Sequence, residues 1–127
     1  MQHRGQPSTH DVGIGKSLFN SIINRETDIK VPSYDKSKFS GEGDRRPETE
    51  WEVVNRSGEK AVEVVIFEGW CVGFRALRDE DAEAKWKGAK EESEKKGDGY
   101  EGRLGKLELE SVRFVNEKLR GYDGLTE

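Results

Sequence analysis

The chain has 127 residues, of which 38% are charged and 31% apolar, and a formal net charge of −4. Its length suits one modest domain, and its charged share is well above the roughly 25% usual for soluble domains, so few strands can be buried on both faces. Mixed signs disfavour a nucleic-acid binder, which concentrates basic charge on one face, and no stretch approaches the ~20 apolar residues of a membrane span.

Cys71 is the single cysteine, so no internal disulfide can form. The N-terminus has neither the apolar core of a signal peptide nor the Arg- and Ser-rich composition of a transit peptide. The expected compartment is the cytosol, with the nucleus as the alternative.

Residues 1–8 are polar and contain Gly5 and Pro7, which predicts a loop. A helix is expected from about Ser8 or Thr9, where Ser8 and Asp11 have the spacing of a capping box. Val12, Leu18, Phe19, Ile22 and Ile23 then share one helical face. Residues 29–51 keep no period, and their Pro, Gly, Ser and Asp predict a long loop, the kind that is usually functional or disordered. A short strand over Trp51–Asn55 and a turn at Ser57-Gly58 follow.

The run Ala61 to Phe67, AVEVVIF, is β-branched and apolar with one acidic break, Glu63. It predicts a largely buried strand of a parallel sheet, ended by Glu68-Gly69. Residues 78–96 predict a solvated charged helix, KKGDGYEGRLG (95–105) a turn-rich linker, and Leu107 to Leu119 an amphipathic helix.

The early sequence Gly13-Ile14-Gly15-Lys16-Ser17 ends like a phosphate-binding loop, G-x-x-x-x-G-K-[ST]. However, His10 stands where the leading glycine belongs, and no apolar strand precedes it. Gly15, Lys16 and Ser17 therefore read as a decoy within the first helical turns, and no residue is assigned to nucleotide binding.

Glu68 is the strongest candidate site residue. A carboxylate at the carboxyl end of a buried strand, followed by glycine, faces the crevice where open α/β sheets bind ligands. There it can hold a Mg²⁺-bound water or orient a reacting hydroxyl; it reads equally well as a solvated acid ending the strand. The segment YDKSKFSGEGDR gathers Asp35, Lys36, Lys38, Asp44 and Arg45 around two glycines, chemistry suited to a phosphate or carboxylate, or to an ordinary solvated loop. Trp70 and Phe74 can line a pocket or pack in a core. His3, His10 and Cys71 lack metal-ligand spacing.

Four blocks resemble the D-glycerate 3-kinase-like family of P-loop kinases, in particular its fungal branch of ATP-dependent kinases: RGQPSTHD, VPSYDKSKFSGEGDR, VVIFEGWCVGF and VNEKLRGYDGL. The blocks keep the family's order, and residues 79–103 resemble a charged variable insertion. Ser8 stands where the family's PGTHD turn has glycine. The resemblance implies an α/β, three-layer P-loop fold across a single partial domain, residues 1–127, with its parallel sheet incomplete.

By the same resemblance, the family transfers the ATP γ-phosphoryl group, with Mg²⁺, to a hydroxyl of a small glycerate-like acceptor. Asp11 and Glu68 would be its catalytic acids, with Glu68 near Mg²⁺. Asp35, Lys36 and Arg45 would belong to the acceptor-binding loop, and Trp70 and Phe74 to the wall behind Glu68. The chain contains no intact Walker A element, so the expectation is the central part of a kinase, inactive alone and without bound ATP. The alternative is a non-catalytic remnant or a binding module without nucleotide.

Overall fold

A computed structural model describes residues 5–69 and 71–125. The polar loop expected over residues 1–8 is therefore described from Gly5 onward, and Trp70 lies outside the described residues. The chain forms two compact units, one up to Val72 and one from Gly73.

In the N-terminal unit, α1 spans Val12–Ile23. It starts later than the Ser8 cap predicts. Thr9 closes a turn first, its hydroxyl accepting from the Gly5 amide at 3.0 Å and donating to the Gln6 carbonyl at 2.8 Å. Ser8 lies inside that turn at φ 89°, a left-handed conformation that no helical residue adopts. The cap is Asp11, whose Oδ1 accepts from the Ile14 amide at 3.1 Å. Val12, Ile14, Leu18, Phe19 and Ile22 form the half-buried face.

Residues 29–51 contain more structure than their aperiodic sequence predicts. Strands β1 (Ile29–Val31) and β4 (Glu52–Val54) pair antiparallel, with Ile29 opposite Val54 and Val31 opposite Glu52. Between them, β2 (Tyr34–Asp35) and β3 (Asp44–Arg45) form a second antiparallel ladder, with Tyr34 opposite Arg45. Elements of two or three residues are too short to leave a period. The β1 side of α1 covers Ile29, which is buried at 7% exposure.

Asn55 joins these pieces. At φ 54° and buried, it donates through Nδ2 to the Glu26 carbonyl at 3.1 Å and accepts at Oδ1 from the Val62 amide at 2.7 Å. Its own carbonyl accepts from the Asp28 amide. Asparagine tolerates the left-handed region better than other non-glycine residues, so one side chain both turns the chain and ties down three segments.

The buried parallel strand expected over Ala61–Phe67 does not form. Among the described residues this run pairs with no other strand, and every sheet pairing is antiparallel. Val64 is 77% exposed and Ile66 89%. The composition satisfies a strand covered on both faces, but a ladder needs partner strands beside it, and the described residues supply none there. Phe67 does find a partner in Phe19 of α1, with ring centroids 5.0 Å apart in an edge-to-face arrangement.

The second unit is helical. Helix α2 (Asp79–Lys96) has Asp79, Glu80 and Asp81 in its first turn and Lys95 and Lys96 in its last, charges that complement its dipole. Helix α3 (Leu109–Arg120) packs against it. The indole of Trp86 donates to the Leu107 carbonyl at 2.9 Å, and Arg113 pairs with Glu83 at 2.6 Å.

Buried Asn116 of α3 grips the segment before α2. It accepts from the Leu77 amide at 2.8 Å and donates to the Leu77 carbonyl at 2.9 Å and to Asp79 at 3.2 Å. The turn Leu104–Lys106 fits against α2 only because residue 105 is glycine: a Cβ there would stand 2.2 Å from the Ala89 carbonyl oxygen. Residues 97–105, expected as a linker, are thus ordered, with Tyr100 buried at 6% and its hydroxyl accepting from the Gly105 amide at 3.1 Å.

Candidate functional site

Two of the residues singled out in the first unit, Asp11 and Arg45, meet at the start of α1. Arg45 leaves β3 and reaches Asp11, Nη2 to Oδ2 at 2.7 Å, with both side chains a little under half exposed. The Asp11 carboxyl is held below its ordinary range, chiefly by the Ile14 amide and then by the Arg45 guanidinium. It is thus an acceptor of hydrogen bonds at neutral pH, fixed at one oxygen by its own helix and at the other by a cation.

Asp35, expected in the same acceptor-binding loop as Arg45, pairs with Arg46 at 3.3 Å. Its Oδ1 accepts from both the Ser37 hydroxyl, at 2.6 Å, and the Ser37 amide, at 2.9 Å. These contacts, the hydroxyl first, lower the Asp35 carboxyl. Arg46 also reaches Glu50 at 3.3 Å, and its carbonyl accepts from the Trp51 indole at 2.8 Å. Arg45 ends β3 and Arg46 follows it, and the two serve different carboxylates. Arg46 is a residue that the sequence reading passed over; the twin arginines were its only signal. Lys36 is exposed on the connection between β2 and β3.

The tip of that connection is conformationally strained. Phe39 has φ 51° and Ser40 φ 56°, left-handed values that L-residues adopt at a cost of about 1–2 kcal/mol each. The Phe39 ring is 67% exposed, so core packing does not account for its conformation. The Tyr34 hydroxyl donates to the Glu42 carbonyl at 3.1 Å, and the Gly43 amide reaches back to the Lys38 carbonyl at 2.8 Å. Strain of this kind gathers where a loop has a task beyond connection.

The other candidates are placed apart. Glu68 is exposed beyond the unpaired run, so the buried strand that was to aim it is absent. Trp70 lies outside the described residues, and Phe74 belongs to the second unit, 57% exposed. Gly15, Lys16 and Ser17 all lie within α1, and the Gly15 amide donates to the Asp11 carbonyl at 3.2 Å. A cleft of about 370 Å³, whose lining includes Ile14, Ser17, Leu18, Lys30 and Trp51, includes none of Asp11, Asp35 and Arg45. Volume therefore does not mark the site; charge and geometry do.

The amide end of α1, where a phosphate would be received, is capped by the chain's own Asp11 carboxylate. Among the described residues no three His, Cys, Asp or Glu side chains gather to hold a cation. At Asp11–Arg45 the guanidinium carries N–H donors of the kind that pair with carboxylates, and the Asp11 carboxylate carries acceptor oxygens.

No protein-family model matches the chain. It is 44% identical over 78 residues to the uncharacterized kinase mug58 of Schizosaccharomyces pombe, covering 61% of this chain and 27% of that protein. It is 36% identical over 85 residues to the probable ATP-dependent kinase TDA10 of Saccharomyces cerevisiae, covering 61% of this chain and 26% of that one. The chloroplastic D-glycerate 3-kinase of Arabidopsis thaliana is 32% identical over 80 residues, 17% of its length.

Among solved structures, D-glycerate 3-kinase from Cryptococcus neoformans superposes with a TM-score of 0.70 at 31% identity, covering 96% of this chain and 39% of that one. The chain thus spans about a quarter or less of the curated relatives it matches. It is homologous, over that part, to the D-glycerate 3-kinase-like kinases.

Proposed function

We propose that this chain carries the acceptor-binding side of an ATP-dependent small-molecule kinase whose acceptor is a glycerate-like hydroxy acid. One observation carries the reading: the strained loop from Tyr34 to Arg45 delivers a guanidinium to the helix-capping carboxylate of Asp11 at 2.7 Å. Arg45 holds the acceptor carboxylate in a charge-assisted pair, and Asp11 orients the hydroxyl that is to be phosphorylated. With its carboxyl lowered, Asp11 is a weak base, so its role is positioning before proton removal. Asp35 keeps Arg46 and the loop in place, and Lys36 adds positive charge along the acceptor's approach. Glu68 is the residue assigned to the metal side, and Trp70 and Phe74 to the wall of the acceptor pocket.

The parent fold of the reading is the three-layer P-loop kinase fold. In phosphoryl transfer the nucleotide side is built by a phosphate-cradling loop, a lysine and Mg²⁺; these would supply charge neutralisation in the intact enzyme. No step is assigned to these groups, and the chain alone is expected to bind acceptor without transferring phosphate.

The test is a nitrogen-edited NMR titration of the isolated chain. D-glycerate should shift the amides around Asp11 and the Arg45 side-chain resonance, Arg45→Ala should remove those shifts, and Mg-ATP should produce none. Micromolar binding of Mg-ATP that depends on Lys16 would overturn the assignment, as would glycerate shifts confined to other residues.

A further inference from the structure

We propose that Arg46 is a positioning residue: it clamps the base of the β2–β3 hairpin so that Arg45, its neighbour in sequence, is held on Asp11. The inference rests on the reading of Arg45 as the acceptor's anchor, and it names the residue that keeps that anchor aimed.

Residue 46 is bonded through backbone and side chain alike. Its amide donates to the Ser33 carbonyl at 2.9 Å, and its carbonyl accepts from the Trp51 indole at 2.8 Å. One arm of its guanidinium, Nη2, reaches Asp35 on β2, and the other, Nη1, reaches Glu50, each at 3.3 Å. These four contacts tie the chain entering the hairpin to the chain leaving it. Asp35 is fixed in turn by Ser37, whose hydroxyl and amide both donate to it.

The hairpin has little else to hold its base. Its ladder consists of two residue pairs, Tyr34 with Arg45 and Asp35 with Asp44. The second pair sets like charges opposite each other, an arrangement that weakens a ladder, and Arg46 brings a cation to it. The Arg45 guanidinium sits at the end of a long side chain, so its 2.7 Å contact with Asp11 depends on where its backbone is held. Binding geometry tolerates displacements of about 0.5 Å. Loss of pre-organisation costs affinity even when every group that touches the acceptor is still present.

Folding stability should register the clamp weakly. Both ion pairs of Arg46 are single, long contacts between partly exposed side chains, a class worth little to folding. Aim and stability therefore separate, and that separation distinguishes a positioning role from a purely structural one.

Two readouts on the whole 127-residue chain test this. The first needs no acceptor: NMR titration of the Asp11 carboxyl carbon. That carboxyl is held low by the Ile14 amide first and then by Arg45. Arg46→Ala should raise its midpoint toward that of Arg45→Ala, although the Arg46 guanidinium itself serves Asp35 and Glu50. The second is affinity for D-glycerate, which Arg46→Ala should weaken by about tenfold, with a thermal midpoint within about 8 °C of wild type. Arg46→Lys, which keeps the charge and loses the fork, should behave like Arg46→Ala. Adding Asp35→Asn to Arg46→Ala should weaken binding by less than about twofold more, because both changes break one contact.

If Arg46→Ala fails to fold, Glu50→Gln, which loosens one arm, should move both readouts in the same direction by a smaller step. An unmoved Asp11 midpoint overturns the clamp, as does an unchanged affinity in a chain that binds glycerate, or full recovery by Arg46→Lys. A wild-type chain that ignores glycerate while its Asp11 midpoint still responds to Arg46→Ala sinks the acceptor reading and leaves the clamp standing.

Discussion

Gly105 and Gly88 should respond to the same substitution with opposite signs. At Gly105 a Cβ would meet the Ala89 carbonyl oxygen at 2.2 Å, its carbon at 2.8 Å and Ser93 Cβ at 2.9 Å. The first two obstacles are backbone of α2, so the turn Leu104–Lys106 must retreat by about 0.8 Å to reach even a 3.0 Å contact. Overpacking of that kind costs about 1–3 kcal/mol. Retreat also stretches the buried 3.1 Å bond from the Gly105 amide to the Tyr100 hydroxyl, a further loss of about 1 kcal/mol. Gly105→Ala is thus expected to destabilise the second unit by about 2–4 kcal/mol.

Gly88 sits mid-way along α2 with nothing within 4 Å of the corresponding position. Gly88→Ala should therefore stabilise by about 0.8–1 kcal/mol, the difference in helix propensity. Urea melts followed by far-UV circular dichroism measure both, and each kcal/mol also moves the melting temperature of a small unit by roughly 4–8 °C. A Gly105→Ala midpoint within error of wild type would refute the packing argument, because no flexible side chain is available to absorb the clash.

Further predictions concern single residues and pH. Ser8→Gly should stabilise the first unit by about 0.5–1 kcal/mol in a thermal melt, since φ 89° is a glycine conformation, with part of the gain offset by the freer unfolded chain. Asn116→Leu should cost about 1–3 kcal/mol in urea by leaving the Leu77 amide and carbonyl unpaired, more than a surface Asn→Leu change costs. Asp11 and Asp35 have carboxyls lowered from the ordinary 3.8, so their stabilisation is complete above that pH and is lost as pH falls through the lower folded values. Acid titration of Asp11→Asn and Asp35→Asn should therefore show a shallower loss of stability below pH 3.8 than wild type, and no difference in slope near neutrality.

Helices α2 and α3 were legible because their signals are local: dipole-matched charge, a glycine stop at Gly97 and an apolar stripe. AVEVVIF shows the limit of the same reasoning. Composition says what a segment can become, while its pairing depends on strands elsewhere, so an unmistakable pattern ends as an exposed extended run. Strand β4 matches the short strand expected over Trp51–Asn55; β1, β2 and β3 were illegible for the reverse reason, being held by cross-chain register over two or three residues.

At the candidate site, Asp11 and Arg45 were both picked out, yet their direct contact was not, because the fold brings together residues 34 positions apart. Arg46, which pairs with Asp35, was passed over because only the twin arginines marked it. The start of α1 was misjudged because Ser8, a good cap in sequence, carries a backbone angle that no sequence rule announces.

The buried thiol of Cys71 donates to the carbonyl of Gly5 at 3.6 Å. Burial pushes that thiol up, so it resists alkylation. The contact also brings Gly5 and Cys71, 66 positions apart, to a single spot, like the neck of a purse. A segment with such neighbouring termini can be spliced into a surface loop of an unrelated carrier without prying the carrier apart, which offers a way to display the Asp11–Arg45 pair on a scaffold of choice.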